Sequence, residues 1–142
     1  MKSLLILGCS ATKRATPEPL AAVERYDGPL FRVLRGWMAR TPDWRVRLNV
    51  AVLSAKFGLI SGDSTVGDYD QRMTAAKALG LRWGLEGDLR FYWPGPYASV
   101  YVSLGATYRI ALPDPLPWPA QFAQGGIGVR QRELKAWLGG LL

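Results

Sequence analysis

The sequence predicts an α/β fold: a single domain over residues 1–142, a three-layer sandwich around a mainly parallel sheet. Three observations predict it. Lys2 to Gly8, Val46 to Ser54 and Ser99 to Leu104 are continuous apolar runs, the pattern of strands buried on both faces. Segments with one apolar helical face lie between and after them. Pro- and Gly-rich breaks separate the two kinds of element.

Taken in order, the first run ends at Gly8 and the only cysteine, Cys9. Gly28-Pro29 then starts a helix, since Pro suits the first helical position and Asp27 or Gly28 can cap it. Leu30, Phe31, Leu34, Trp37 and Met38 fall on one face, with Arg32, Arg35 and Arg40 on the other. Thr41-Pro42 ends it. After the second strand comes a long loop, then a helix from about Met73 to Tyr92, weakened by Gly80, Gly84 and Gly87. Trp93-Pro94-Gly95-Pro96 is a firm break. The third strand leads into a short helix, "GATYRIAL", and Pro113 to Pro119 forms an extended connection long enough to carry the chain across the sheet. Gly125-Gly126-Ile127-Gly128 opens a closing helix with Leu134, Trp137, Leu138 and Leu141 on one face.

Composition narrows the chemistry. The chain is 49% hydrophobic and 20% charged, as a globular domain is. One cysteine makes neither an internal disulfide nor a multi-cysteine metal site, which fits a reducing cytoplasm. No histidine is present, so Ser-His-Asp and Cys-His catalysis and His-ligated zinc are excluded. Met1-Lys2-Ser3 leads into an apolar stretch too short for a signal peptide, and no run approaches membrane-spanning length. A soluble, cytoplasmic protein without a membrane partner, metal or cofactor is expected.

The formal charge of +7 suggests a polyanionic partner: DNA, RNA or a nucleotide. An inert basic surface is the alternative. Residues 1–60 hold ten Lys/Arg against four Asp/Glu, whereas Ser61 to Arg72 holds Asp63, Asp68 and Asp70 against Arg72 alone. Clustered carboxylates repel each other, which marks that loop as a candidate site.

In parallel sheets ligands collect beyond the carboxyl ends of strands. Ser10, Thr12 and Lys13 follow the first strand, and Ser54 and Lys56 follow the second. Side by side, "GCSATK" and "LSAKFG" would form twin walls of one anion-binding crevice, small hydroxyls and a lysine on each. Two neighbouring lysines repel unless an anion or a carboxylate compensates. Cys9 reads as a small buried hydrophobe of low reactivity, since no histidine activates it. The loop "FGLISGDSTVGDYDQRM" would cap the crevice. There Asp70 is either a surface ion-pair partner of Arg72 or a general base and oxocarbenium stabiliser, and Tyr69 a stacking face for a base. Gly126 and Arg130, at the closing helix, either hold phosphate on backbone N–H groups or form a plain helix start. That segment matches neither a Walker loop nor a dinucleotide fingerprint. Trp37 and Trp137 read as core. Trp83, Tyr92, Trp93 and Trp118 lack an apolar period and read as a base-stacking surface or a protein interface.

The set "CSATK", "YDGPLF", "LSAKFGLI", "DYDQRM" and "GGIGVRQRELKAWL" resembles a widespread family of bacterial and phage proteins. In that family a Cys-Ser-x-x-Lys strand end precedes a Tyr-x-Gly-x-Leu-Phe helix start and a Leu-Ser-Ala-Lys-Tyr-Gly-Leu motif. More distantly, "FGLISGDSTVGDYDQRM" is similar to a stretch of the YaaA-type peroxide-stress proteins, which bind DNA, with Phe57 in place of their tyrosine and Gln71 interrupting the tail. "CSATK" also resembles a motif of the domain accompanying archaeosine synthases and tRNA-guanine transglycosylases, where the lysine serves modification of a deazaguanine base. Here Lys13 is followed by Arg14-Ala15 and no histidine follows. The resemblance implies nucleobase and nucleic-acid chemistry. The expectation is an enzyme directed at nucleic acid or a nucleotide, acting at a nucleobase or its glycosidic bond, with Lys13, Asp70 and Ser10 as catalytic candidates. A non-catalytic DNA- or RNA-binding module is the second reading, and a protein-binding accessory factor the third.

Overall fold

The computed structural model describes residues 1–141. Its centre is β1 (Ser3–Gly8), hydrogen-bonded on both edges to parallel neighbours, β3 (Leu48–Ser54) and β6 (Val100–Ser103). Beyond β6 lies β7 (Gln121–Phe122), parallel, and beyond β3 lies β4 (Gly58–Ser61), antiparallel. The five-stranded order is β4-β3-β1-β6-β7. This is one α/β domain with a mostly parallel mixed sheet. A separate ribbon joins β2 (Leu20–Ala21) to β5 (Thr65–Val66).

Strand alternation divides the core in two. Leu5, Leu7, Val50, Val52 and Tyr101 pack with α1 (Ala22–Arg25), α2 (Pro29–Arg40) and α6 (Ile127–Gly139). Leu4, Ile6, Ala51, Leu53, Val100 and Val102 pack with α4 (Ala75–Tyr92). Gly28 caps α2 with Pro29 in the first turn, and Phe31, Leu34 and Trp37 are buried as their spacing requires. Thr74 caps α4, its side chain accepting from the Lys77 amide at 3.1 Å.

Three boundaries differ from the sequence expectation. Val46 belongs to a helical turn, α3 (Trp44–Arg47), and is 71% exposed, so the second strand starts at Leu48. The short helix α5 is confined to Ala106–Arg109. The proline-rich connection does not cross the sheet: it joins β6 to the adjacent β7. Arg35, assigned by periodicity to the polar face of α2, is half-buried. It pairs with Asp27 and donates to the carbonyls of Val23 and Tyr26.

The strand order contains a switch point. From β1 the chain moves to β3, then passes back over β1 to β6. The sheet therefore reverses its winding between β1 and β6, and a crevice opens at such a switch point beyond the carboxyl ends.

One buried cation holds the periphery of this arrangement. Arg25 is 1% exposed, yet among the described residues no carboxylate pairs with it. Its guanidinium donates to the carbonyls of Val66, Arg14, Thr16 and Glu18 at 2.5–3.0 Å, tying residues 14–18 to β5. Replacing it by methionine leaves those buried acceptors without partners. Arg25→Met should cost about 3 kcal/mol of stability in urea unfolding. A loss below about 1 kcal/mol would mean that the carbonyls are satisfied by water instead.

Candidate functional site

The chain leaves β3 through a turn organised by Ser54, which is fully buried. Its Oγ accepts from the amides of Lys56 and Phe57, both at 3.1 Å. Gly58 follows at φ 76°, a left-handed conformation that favours glycine. With both acceptor positions of the hydroxyl used, its single proton is directed to Tyr69 Oη, 2.9 Å away. Tyr69 then donates to Tyr26 Oη at 2.5 Å. Tyr26 is fully buried and Tyr69 partly so. The Tyr69 ring packs edge-on against Tyr26 and Phe57. Lys13 lies 4.4 Å and Lys56 5.5 Å from its centroid, within cation–π reach.

Lys13 is delivered there by main-chain pairing. It bridges Tyr26, and the flanking bonds Asp27 N–H to Thr12 and Arg14 N–H to Arg25 close segment 12–14 onto 25–27. Ser10 Oγ accepts from the Thr12 amide at 3.1 Å. Gly28 abuts the same hydroxyl: a Cβ there would lie 2.6 Å from Ser10 Oγ and would force that hydroxyl to turn away.

The switch-point crevice is real. It is a cavity of about 330 Å³, lined among others by Cys9, Ser10, Arg72, Gly105 and Tyr108. Cys9 Sγ and Tyr108 Oη are hydrogen-bonded at 3.1 Å in its wall. Gln71 donates to the Ala55 carbonyl at 3.2 Å, pinning the loop that brings Arg72 to the wall. Burial pushes the phenols of Tyr26, Tyr69 and Tyr108 above the ordinary tyrosine value, so all three act as neutral hydrogen-bonding groups.

The sequence-derived residues thus divide into groups. Ser10 and Arg72 line the cavity. Lys13, Ser54, Lys56 and Tyr69 gather beside it, but the two lysines converge on the Tyr69 ring rather than facing each other as crevice walls. Thr12 is exposed and contributes its backbone. Asp70 is exposed, and among the described residues it forms no ion pair with Arg72. Gly126 caps α6, and Arg130 lies near Tyr101 and Glu133, away from this cavity. Cys9 is only partly buried and reaches the cavity, contrary to its reading as an enclosed hydrophobe. Tyr108, Gly105 and Tyr26 were missed. Tyr108 and Gly105 carried a signal, since they follow the third strand as Ser10 follows the first. Among the described residues no cluster of His, Cys, Asp or Glu suits a metal ion.

The raised phenols set an alkaline limit. A phenol whose folded pKa lies above its unfolded value stabilises the fold fully below about pH 10, and that contribution is lost as pH rises further. Urea midpoints should therefore fall from about pH 10 upward. Tyr69→Phe should cost about 1–2 kcal/mol at neutral pH and flatten that fall. An unchanged alkaline slope would show that Tyr69 titrates as a free phenol.

Comparison of the chain with protein-family models, with curated proteins and with solved structures returns no match.

Proposed function

We propose that the protein acts on nucleic acid or a nucleotide, as an enzyme working at a nucleobase or its glycosidic bond, with the switch-point cavity as its site. One observation carries the reading: cations without carboxylate partners collect where the cavity opens. Arg14, Arg32, Arg35, Arg45, Arg47 and Arg90 are each paired with an acid. Lys13, Lys56 and Arg72, around the carboxyl ends of β1 and β3, have no such pair among the described residues. Their uncancelled charges give this edge a local positive field, which favours a phosphate-bearing ligand.

In this reading Ser10 and Arg72 hold the anionic part of the ligand and Phe57 and Tyr69 offer aromatic faces to a base. Asp70, next to Tyr69 and two residues before Arg72, is the carboxylate that would stabilise charge developing on the sugar, and Lys13, over the Tyr69 ring, the neighbouring cation. The resemblance carried by "CSATK" and "LSAKFGLI" points the same way. The split of the core into two clusters on opposite sides of the sheet supports a three-layer sandwich around this site.

A second observation favours a protein partner. Leu79, Trp83, Phe91 and Tyr92 stand exposed on α4, Trp83 by 84%, with Gly80, Gly84 and Gly87 among them. Such a patch is typical of an interaction surface. No helix is long and apolar enough to cross a membrane.

Fluorescence anisotropy with a short single-stranded oligonucleotide, at several salt concentrations, tests the first reading. Affinity should fall log-linearly with salt. Lys13→Ala and Lys56→Ala should each reduce that slope by about one, with little change in melting temperature. Affinity that persists at about 0.5 M salt, or no binding of oligonucleotide, nucleotide or free base at low salt, would sink it.

A further inference from the structure

A second cavity lies on the other side of α5. It measures about 820 Å³, within the size range of small-molecule sites, and meets the switch-point cavity only at Ala106. Its floor and walls are apolar: Ile110, Leu112, Leu116, Trp118 and Phe122 contribute. Leu112 and Trp118 belong to the buried core, and Trp118 is fixed by donating to the Trp93 carbonyl at 3.0 Å. Pro113, Pro115, Pro117 and Pro119 form the rim, each with a locked φ, so the trough exists before any ligand arrives.

Two guanidiniums border this trough. Arg82 is oriented by one bond, Nε to the Ile110 carbonyl at 2.8 Å, which leaves its terminal nitrogens free. Arg109 stands over the Phe122 ring at 4.6 Å, and stacking through its face leaves its N–H edge unused. Asp114 lines the same cavity, yet among the described residues it pairs with neither arginine. Two pre-oriented, unneutralised forks above an apolar floor match one kind of ligand. We propose that this trough is a binding site, separate from the switch-point cavity, for a small organic acid: an apolar body with one carboxylate or phosphate group held by Arg82 and Arg109. The apolar body supplies affinity through buried area, and the guanidiniums select the charged head by bidentate hydrogen bonds.

Calorimetric titration of the full chain with 2-naphthoate, 2-naphthyl phosphate and neutral 2-naphthamide tests this. At least one acid should bind, and the tighter of the two identifies the head group. The amide should bind about tenfold more weakly or not at all. Arg109→Gln, at an exposed position, should weaken the acid about tenfold without lowering the melting temperature, and Arg82→Gln should act likewise. Arg72→Gln should leave the acid unaffected. The proposal falls if the amide binds as well as the acids, if neither acid binds at about 5 mM, or if Arg72→Gln removes binding that Arg109→Gln leaves intact.

Discussion

β1 is buried on both faces and hydrogen-bonded along both edges, and the rest of the molecule is arranged around that constraint. Ser3 to Leu7 are all buried, so this central strand carries no reactive side chain along its apolar length. Whatever chemistry the strand delivers must sit at its end. Parallel neighbours then bring their own ends to the same edge, and Cys9, Ser54 and Gly105 become neighbours although far apart in sequence. The reversal of winding at β1 opens a cavity at this edge, and Cys9 and Tyr108, hydrogen-bonded to each other, form part of its wall.

Polar groups near this edge are satisfied from within the fold to an unusual degree. Ser54 serves two amides and one phenol; Gln71 serves the Ala55 carbonyl; Arg25 serves four carbonyls without an acid partner. Ser54 to Tyr69 and Gln71 to Ala55 tie the loop after β5 to the end of β3, while Arg25 ties residues 14–18 to β5. Loops without regular structure are held at defined positions by such bonds, and a site built on them keeps its geometry. Among the described residues two buried polar atoms have no partner: Ser103 Oγ, at the end of β6, and Arg130 Nε, away from this edge.

Legibility in the sequence followed element length and burial. β1, β3 and β6 are visible as continuous apolar runs, and helices α2 and α6 because their periodicity extends over many residues, Phe31, Leu34 and Trp37 being an instance. β4 and β7 are not. "GLIS" and "QF" are edge strands of four and two residues that lack the continuous apolar run marking the equally short β6, and glycine disguises the first as loop. Val46 was drawn into a strand by its β-branched side chain although it is exposed on a helical turn. At the site, residues directly after β1 and β3 were legible, because apolar runs locate strand ends. Tyr26 was not: it meets Tyr69 through a fold-back of forty-three residues, which no local pattern announces. Arg25 likewise looks like any helical arginine until the carbonyls around it are seen.

Tyr69 shows why the two lysines coexist. Two ammonium groups near one another would ordinarily call for a carboxylate, and Asp70 is adjacent in sequence, yet the groups lie over an aromatic ring. The difference matters electrostatically. A carboxylate cancels a charge, whereas a ring stabilises a cation by about 0.5–1 kcal/mol at an exposed site and leaves its charge in place. The ring is in turn held by its hydroxyl, which turns inward between Ser54 and Tyr26 and is kept protonated by burial. The outward face of this edge therefore stays positive while its inward side is neutral and fully hydrogen-bonded. Aspartates facing Lys13 and Lys56 would have stabilised the same side chains and removed the positive field at this edge.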